Sequence, residues 1–430
     1  MALAGCTAVA PLDLSRQATL APEVATLRHD GFAITQPLSI TQVTALAVQN
    51  NPALIATRAQ HGVAQAQILQ AGLLPNPQVT GAYLPLLAGP ATTSAWNAGI
   101  SEDIRSLITL SSTRRAAQAS AGQIDAQILW QEWQTIGQAR LLSVDIIEAD
   151  RTLTLLRQAS NLLAARYRRS RQATLAGNET LTGSTPDLAA WQAITTQIHD
   201  QERQQLARRH QLNALLGLAP DVMLALDPVP DLPPWNPQSV QGELPTLAEH
   251  RPDLIALQLG YRAQNAKLRT AILSRFPNLT IGVIGGSDNS NIRNFGPQVT
   301  LELPIFNQNQ GNIAIETATR QQLHDEYAAR LTEAVGQVRA MIAEIDLLSN
   351  QLNGVRRELA GARQIAATAE AAFRAGNIDE RSYVDLVSTR LTKGQEVVAI
   401  EQSLLEQRVA IATLVGAGMP PITLPPGDKT

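Results

Sequence analysis

The chain has 430 residues and a formal net charge of -3, room for two or three ordinary domains. That balance excludes a phosphate-binding surface, which needs a basic excess, so no nucleic-acid partner is expected. Apolar residues make up 44% and aromatic residues only 3%, the composition of long helices packed at close range rather than of a large globular core.

No run approaches the ~18 apolar residues of a membrane-spanning helix, so any crossing has to be a closed barrel. The only cysteine is Cys6, which rules out an intramolecular disulfide. Its setting, Leu3-Ala4-Gly5-Cys6, resembles the lipobox of bacterial lipoproteins, in which the Cys is lipidated and becomes the mature N-terminus. Only five residues precede it here, so the lipid reading expects an export signal further upstream. Residues 1–37 are read as this lipidated segment.

A first repeat is expected over 38–217. It opens with a helix at about Ser39–Ala71, followed by two weakly alternating strands at about Pro77–Leu87 and Thr93–Ile104. No proline falls between Pro90 and Pro186, and proline costs ~3 kcal/mol inside a helix, so a long helix is predicted at about Ser111–Leu175. Gly177-Asn178 forms the far turn, where a helix needs a left-handed cap. A second short helix, about Pro186–Gly217, returns. A Pro-rich linker occupies 218–243.

A second repeat of the same plan spans 244–417, before a tail at 418–430. Its first helix is expected at about Pro245–Ser274 and its long helix at about Gln310–Arg374, roughly 65 residues or ~98 Å at 1.5 Å per residue. The last helix is expected at about Ser382–Gly416. Asn278–Val283 and Pro297–Leu303 alternate as strands, with Gly285–Ser290 as a turn-rich loop between them. Along the long helix Leu331, Val335, Val338, Ile342 and Ile345 follow a 4,3,4,3 spacing, the coiled-coil seam period, and are read as packing.

The duplication is visible in the letters. Asn51-Pro52-Ala53-Leu54-Ile55-Ala56 recurs as Arg251-Pro252-Asp253-Leu254-Ile255-Ala256, and Leu74-Pro75-Asn76 as Phe276-Pro277-Asn278. Ala176-Gly177-Asn178 recurs as Ala375-Gly376-Asn377. The order and the nearly constant spacing make this a tandem repeat. Two short helices stacked beside each long one would make a continuous double rod. Four strands of about ten residues match the length of a tilted barrel strand, but they cannot close alone, and open edges are not tolerated in lipid. Three copies would give 12 strands. Tyr83, Trp96, Phe295 and Phe306 are the aromatic residues near these strands.

With these motifs, and with Leu303-Pro304-Ile305-Phe306-Asn307 and Phe373-Arg374-Ala375-Gly376-Asn377 followed by Tyr383-Val384-Asp385-Leu386, residues 38–417 resemble the TolC-like outer-membrane efflux family. The likeness is to its lipoprotein branch serving resistance-nodulation-division (RND) pumps. The resemblance implies a homotrimer, mainly helical, with a coiled-coil α-barrel in the periplasm and a 12-stranded β-barrel in outer-membrane lipid. It also implies a periplasmic membrane-fusion adaptor and an inner-membrane pump as partners. In such proteins the tip is closed by an iris of coiled coils, often with an aspartate ring. By motif position that constriction falls on Asp385, with Ser388 rather than a second acid one step along. The alternative for Asp385 is a helix-capping or solvated residue. Gly177, Asn178, Gly376, Asn377, Asp379 and Glu380 are the expected tip-turn or adaptor-contact residues.

His29, His61, His199, His210, His250 and His324 are dispersed, and HExxH, GxSxG, Walker and CxxC patterns are lacking, so neither an enzyme nor a cofactor or metal site is expected. The rival readings are a soluble periplasmic coiled-coil scaffold and the duct of a type I protein secretion system. The transported substrate is not legible.

Overall fold

The computed structural model describes residues 11–90, 93–416 and 419; Leu3, Ala4, Gly5 and Cys6 lie outside them. The order of elements is α1 (Ile40–Asn50), α2 (Pro52–Gly72), β1 (Gln78–Leu84), β2 (Ala95–Asp103), α3 (Ile104–Leu175) and α4 (Leu181–Leu216). The linker carries α5 (Pro237–Glu243). There follow α6 (Leu247–His250), α7 (Pro252–Leu273), β3 (Asn278–Ser287), β4 (Arg293–Glu302), α8 (Gln310–Arg374) and α9 (Glu380–Val415).

The first short helix of each repeat is broken where one continuous helix is expected. Asn51 sits at φ -59°, ψ 119°, outside helical space, because a residue before proline is pushed to extended backbone. Its side chain then accepts the Leu54 N–H and caps α2, with Pro52 as the first helical residue. Arg251 (φ -84°, ψ 116°) makes the same break before Pro252. Two other starts also differ from expectation. α3 begins at Ile104 rather than Ser111, directly out of β2, because Asp103 accepts the Arg105 N–H and caps it. α4 begins at Leu181, capped by Thr180, and takes Pro186 into its second turn. α8 runs over the expected span.

The long helices stand beside stacked shorter ones. α3 packs against α2 and α4 on one side and α7 and α9 on the other, while among the described residues α8 packs mainly on α7 and α9. The helical layer therefore runs α2/α4, α3, α7/α9, α8, with α8 forming one lateral edge. The 4,3,4,3 stripe is core: Val338, Ile342 and Ile345 are buried against Ile411 and Val415 of α9. Midway along the rod the linker is laced to both repeats. Leu38 exchanges backbone hydrogen bonds with Ala225 and Asp227, and the Asp231 carboxylate accepts the Ile40 and Thr41 N–H groups.

The four strands form one antiparallel sheet in the order β1-β2-β3-β4, so β2 and β3 join the two repeats. Gly285-Gly286-Ser287, expected as loop, is strand, and the turn is Asp288–Ile292, where Asp288 Oδ1 accepts the Ser290 and Ile292 N–H groups. The glycines mark close approach rather than a turn. A Cβ on Gly286 would lie 2.4 Å from the Trp96 carbonyl oxygen, and one on Gly282 2.3 Å from that of Ile100.

Candidate functional site: a two-faced sheet and an ion-paired helical tip

Strand register fixes which side chains share a face, since directly opposed residues point the same way. Val79 opposes Ile100, which opposes Val283, which opposes Pro297; Tyr83 opposes Trp96; Ile281 opposes Val299, and Leu279 opposes Leu301. One face is thus mainly apolar across all four strands, with Glu102 and Arg293 as its charged residues near the strand ends. Its side chains are in the open, with Val79 79% and Phe295 80% exposed. The opposite face carries Thr80, Asn97, Ser101, Asp103, Asn278, Thr280, Gln298, Thr300 and Glu302. Tyr83, Trp96 and Phe295 sit on the apolar face toward the hairpin turns, and Phe276 and Phe306 lie exposed beyond its other end. Among the described residues the outer edges of β1 and β4 have no strand partner. No helix among the described residues is long and apolar enough to cross a membrane.

At the far end of the rod each repeat closes its hairpin by the same device. Gly177 (φ +76°) and Gly376 (φ +74°) take left-handed backbone. The Asn178 N–H reaches Ala173 O and the Asn377 N–H reaches Ala372 O, both at 2.8 Å. These are Schellman closures, which satisfy carbonyls at a helix end. Asp379 caps α9 by accepting the Ser382 N–H at 2.8 Å. That backbone bond, with the Ser382 hydroxyl, holds the Asp379 carboxyl below its usual range. Glu380 pairs with Arg169 at 2.9 Å.

Asp385 lies within α9 rather than at its cap, and its exposed side chain is ion-paired. It lies 2.7 Å from Arg166 Nη1, while Arg166 Nη2 lies 2.7 Å from Asp187. Arg381 approaches the same Asp187 at 3.6 Å and donates to Gly183 O. One arginine of α3 therefore ties α4 to α9. Burial opposes charge on Arg166, yet its hydrogen bond to Asp385 and its ion pair with Asp187 win and raise its pKa. Ser388 Oγ is buried without a hydrogen-bond partner. Arg166 and Asp187 were not singled out in the sequence. The repeat offers only an approximate signal, since at its 199-residue offset Asp187 falls one place beyond the counterpart of Asp385.

Further along the rod, Arg151 of α3 bridges the buried Glu148 and Glu401 of α9, and Glu401 also holds Arg356 of α8. Burial pushes Glu148 up despite Arg151, whereas on Glu401 the bonds from Arg356 and Arg151 outweigh burial and pull it down. Among the described residues, no group of three or more His, Cys, Asp or Glu side chains is placed to hold a metal ion.

Residues 244–417 match the family described as "Outer membrane efflux protein". "Cation efflux system protein CusC" of Escherichia coli O157:H7 is 26% identical over 257 residues, 55% of this chain and 55% of that protein. "Probable outer membrane lipoprotein SilC" of Salmonella typhimurium is 24% identical over 180 residues, 39% of each. The chain thus spans about half the length of the curated relatives it matches. The solved Campylobacter jejuni CmeC outer membrane channel superposes with a TM-score of 0.72 at 14% identity, covering 95% of this chain and 94% of that one. That likeness shows a shared fold over nearly the whole chain.

Proposed function

We propose that this chain, which belongs to the outer membrane efflux protein family over residues 244–417, is one protomer of a passive exit duct of a tripartite efflux system. The observation that carries the reading is the sheet, apolar on one face, polar on the other and open at both edges. In lipid such edges must be closed. Pairing β1 of one copy with β4 of the next, three times over, gives a 12-stranded barrel with its apolar face to lipid and its polar face lining a water-filled lumen. The helical layer closes in the same way, the bare flank of α8 meeting α2/α4 of a neighbour. A soluble scaffold has no use for a sheet with Val79 and Phe295 in the open.

In this reading the hairpin tips at Gly177-Asn178 and Gly376-Asn377 meet a periplasmic adaptor, together with Asp379 and Glu380, and the adaptor links the duct to an inner-membrane pump of RND type. Asp385 lines the entrance constriction, where Arg166 offsets its charge. Cys6 carries a lipid anchor, a reading supported by the similarity to a probable outer membrane lipoprotein. Two neighbours on one strand test the barrel. Ile100 is on the apolar face and Ser101 on the polar one. Ile100→Lys should lose about 2–4 kcal/mol of barrel stability, as a cation facing lipid does, and should deplete the outer-membrane trimer in sized detergent extracts. Ser101→Lys should assemble normally and shift single-channel ion selectivity toward anions. A monodisperse wild-type monomer in detergent-free buffer would return the scaffold reading. Asp385→Ala with unchanged cation selectivity would remove Asp385 from the constriction.

A further inference from the structure

Midway along the rod, where the linker folds back onto α9 and α3, lies a cavity of about 240 Å³. Leu232, Trp235 and Val240 of the linker and Ile411 of α9 give it apolar walls, and two guanidiniums reach it, Arg140 from α3 and Arg408 from α9. Nearby arginines on the rod each reach a carboxylate: Arg151, Arg208, Arg209 and Arg251 pair with Glu148, Asp145, Asp150 and Asp253. The two cavity arginines differ. Arg408 donates to the Pro233 carbonyl oxygen, and Arg140 stands 5.9 Å over the Trp133 ring. Among the described residues neither has a carboxylate at ion-pair distance. Asp231 acts on Arg140 only at longer range, and its oxygens are taken by the Ile40 and Thr41 N–H groups. Burial lowers the pKa of both arginines, the mark of cations removed from water without full compensation.

Two partly buried guanidinium forks beside apolar walls are complementary to one kind of ligand, an anionic head on a hydrocarbon body. A carboxylate matches the fork and restores the charge balance that burial removed. Glu243 also lines the wall and disfavours a multiply charged head. The volume falls below the usual drug-sized pocket, which selects a short body over a full-length acyl chain. We propose that this cavity binds a medium-chain aliphatic monocarboxylate, its head between Arg140 and Arg408 and its chain against Trp235, Val240 and Ile411. An occupied cavity pins the linker to α9, so the ligand ties the two repeats together. The inference does not depend on the efflux reading.

Trp235 supplies the assay. With the full chain in detergent-free nanodiscs, bromo-octanoate should quench tryptophan fluorescence saturably, and the saturable part should vanish in Trp235→Phe. Binding should be about tenfold weaker in Arg408→Gln, as loss of a charge-assisted pair predicts, and similarly weak for uncharged bromo-octanol against the wild type. The acid–alcohol comparison needs no variant, so it decides the matter even if Arg408→Gln folds poorly. Equal quenching by acid and alcohol, no saturable Trp235 component, or an Arg408→Gln affinity equal to wild type would each overturn the proposal.

Discussion

The two repeats share backbone design and differ in where they place charge. Both hairpins end in a left-handed glycine followed by asparagine, with the same pair of turn hydrogen bonds. Both carry an aspartate one turn and a half into the returning helix, Asp187 in α4 and Asp385 in α9. Only the first repeat has the arginine that serves both; its counterpart position in α8 is Ile365, an exposed apolar residue. The shared arginine makes the pair unequal. Asp187 is 4% exposed at the junction of three helices, and Asp385 is 64% exposed at its rim. The backbone symmetry of the duplication has persisted where glycine geometry demands it. Charge has diverged where one partner suffices for two acids.

The largest expected effect separates these aspartates. Asp187→Asn leaves Arg166, itself only 13% exposed, without its buried partner. Removing one member of a buried pair costs about 3 kcal/mol, which should appear as loosened α3–α4 packing and faster amide exchange at the tip. Asp385→Asn removes a solvent-screened partner and should cost under about 1 kcal/mol. Equal losses for the two variants would mean that the burial difference has no energetic weight.

A smaller effect should be the same in both repeats. Gly177 and Gly376 have nothing within 4 Å of where a Cβ would sit, so an alanine there meets only the left-handed backbone. That conformation costs an L-residue roughly 1 kcal/mol. Gly177→Ala and Gly376→Ala should therefore lower hairpin stability by about the same amount in a denaturant titration of each variant. A difference well beyond that would show that one turn is stabilised by more than its own backbone.

The sequence carried the fold further than it carried the site. Proline-free spans, the Gly-Asn turns and the 4,3,4,3 stripe place the long helices because each reports a local backbone requirement. The misread boundaries involve competition between local signals. Pro52 and Pro252 suit a continuous helix by pattern, yet each forces extended backbone on the residue before it; Gly285-Gly286 reads as a turn, yet the Trp96 carbonyl crowds Gly286 within β3. Asp103 and Thr180 caps lengthened two helices because capping depends on side-chain geometry that spacing does not reveal. The ion pair at the tip was hidden for a different reason. Arg166 lies 219 residues from Asp385, and only the packing of α3 between α4 and α9 brings them together.

The smallest predicted effect uses the remaining asymmetry, the helix caps. α4 is capped by Thr180, which does not titrate, and α9 by Asp379. Asp379 is held below its ordinary value of 3.8 by hydrogen bonds from Ser382. A carboxyl depressed in the folded state stabilises it above the unfolded pKa, and that contribution is lost as pH falls through the folded value. Acid should therefore loosen the cap of the second hairpin and leave that of the first unchanged. Pepsin, active in this range, reads both tips in one digest, with Phe373 and Tyr383 flanking one turn and Leu175 and Leu181 the other. The ratio of cleavage at the second tip to the first should rise as pH falls below 3.8, and taking a ratio cancels the protease's own pH profile. Asp379→Asn should flatten it, since asparagine caps a helix about as well as aspartate and cannot titrate. A ratio that climbs equally in the variant would place the acid sensitivity elsewhere.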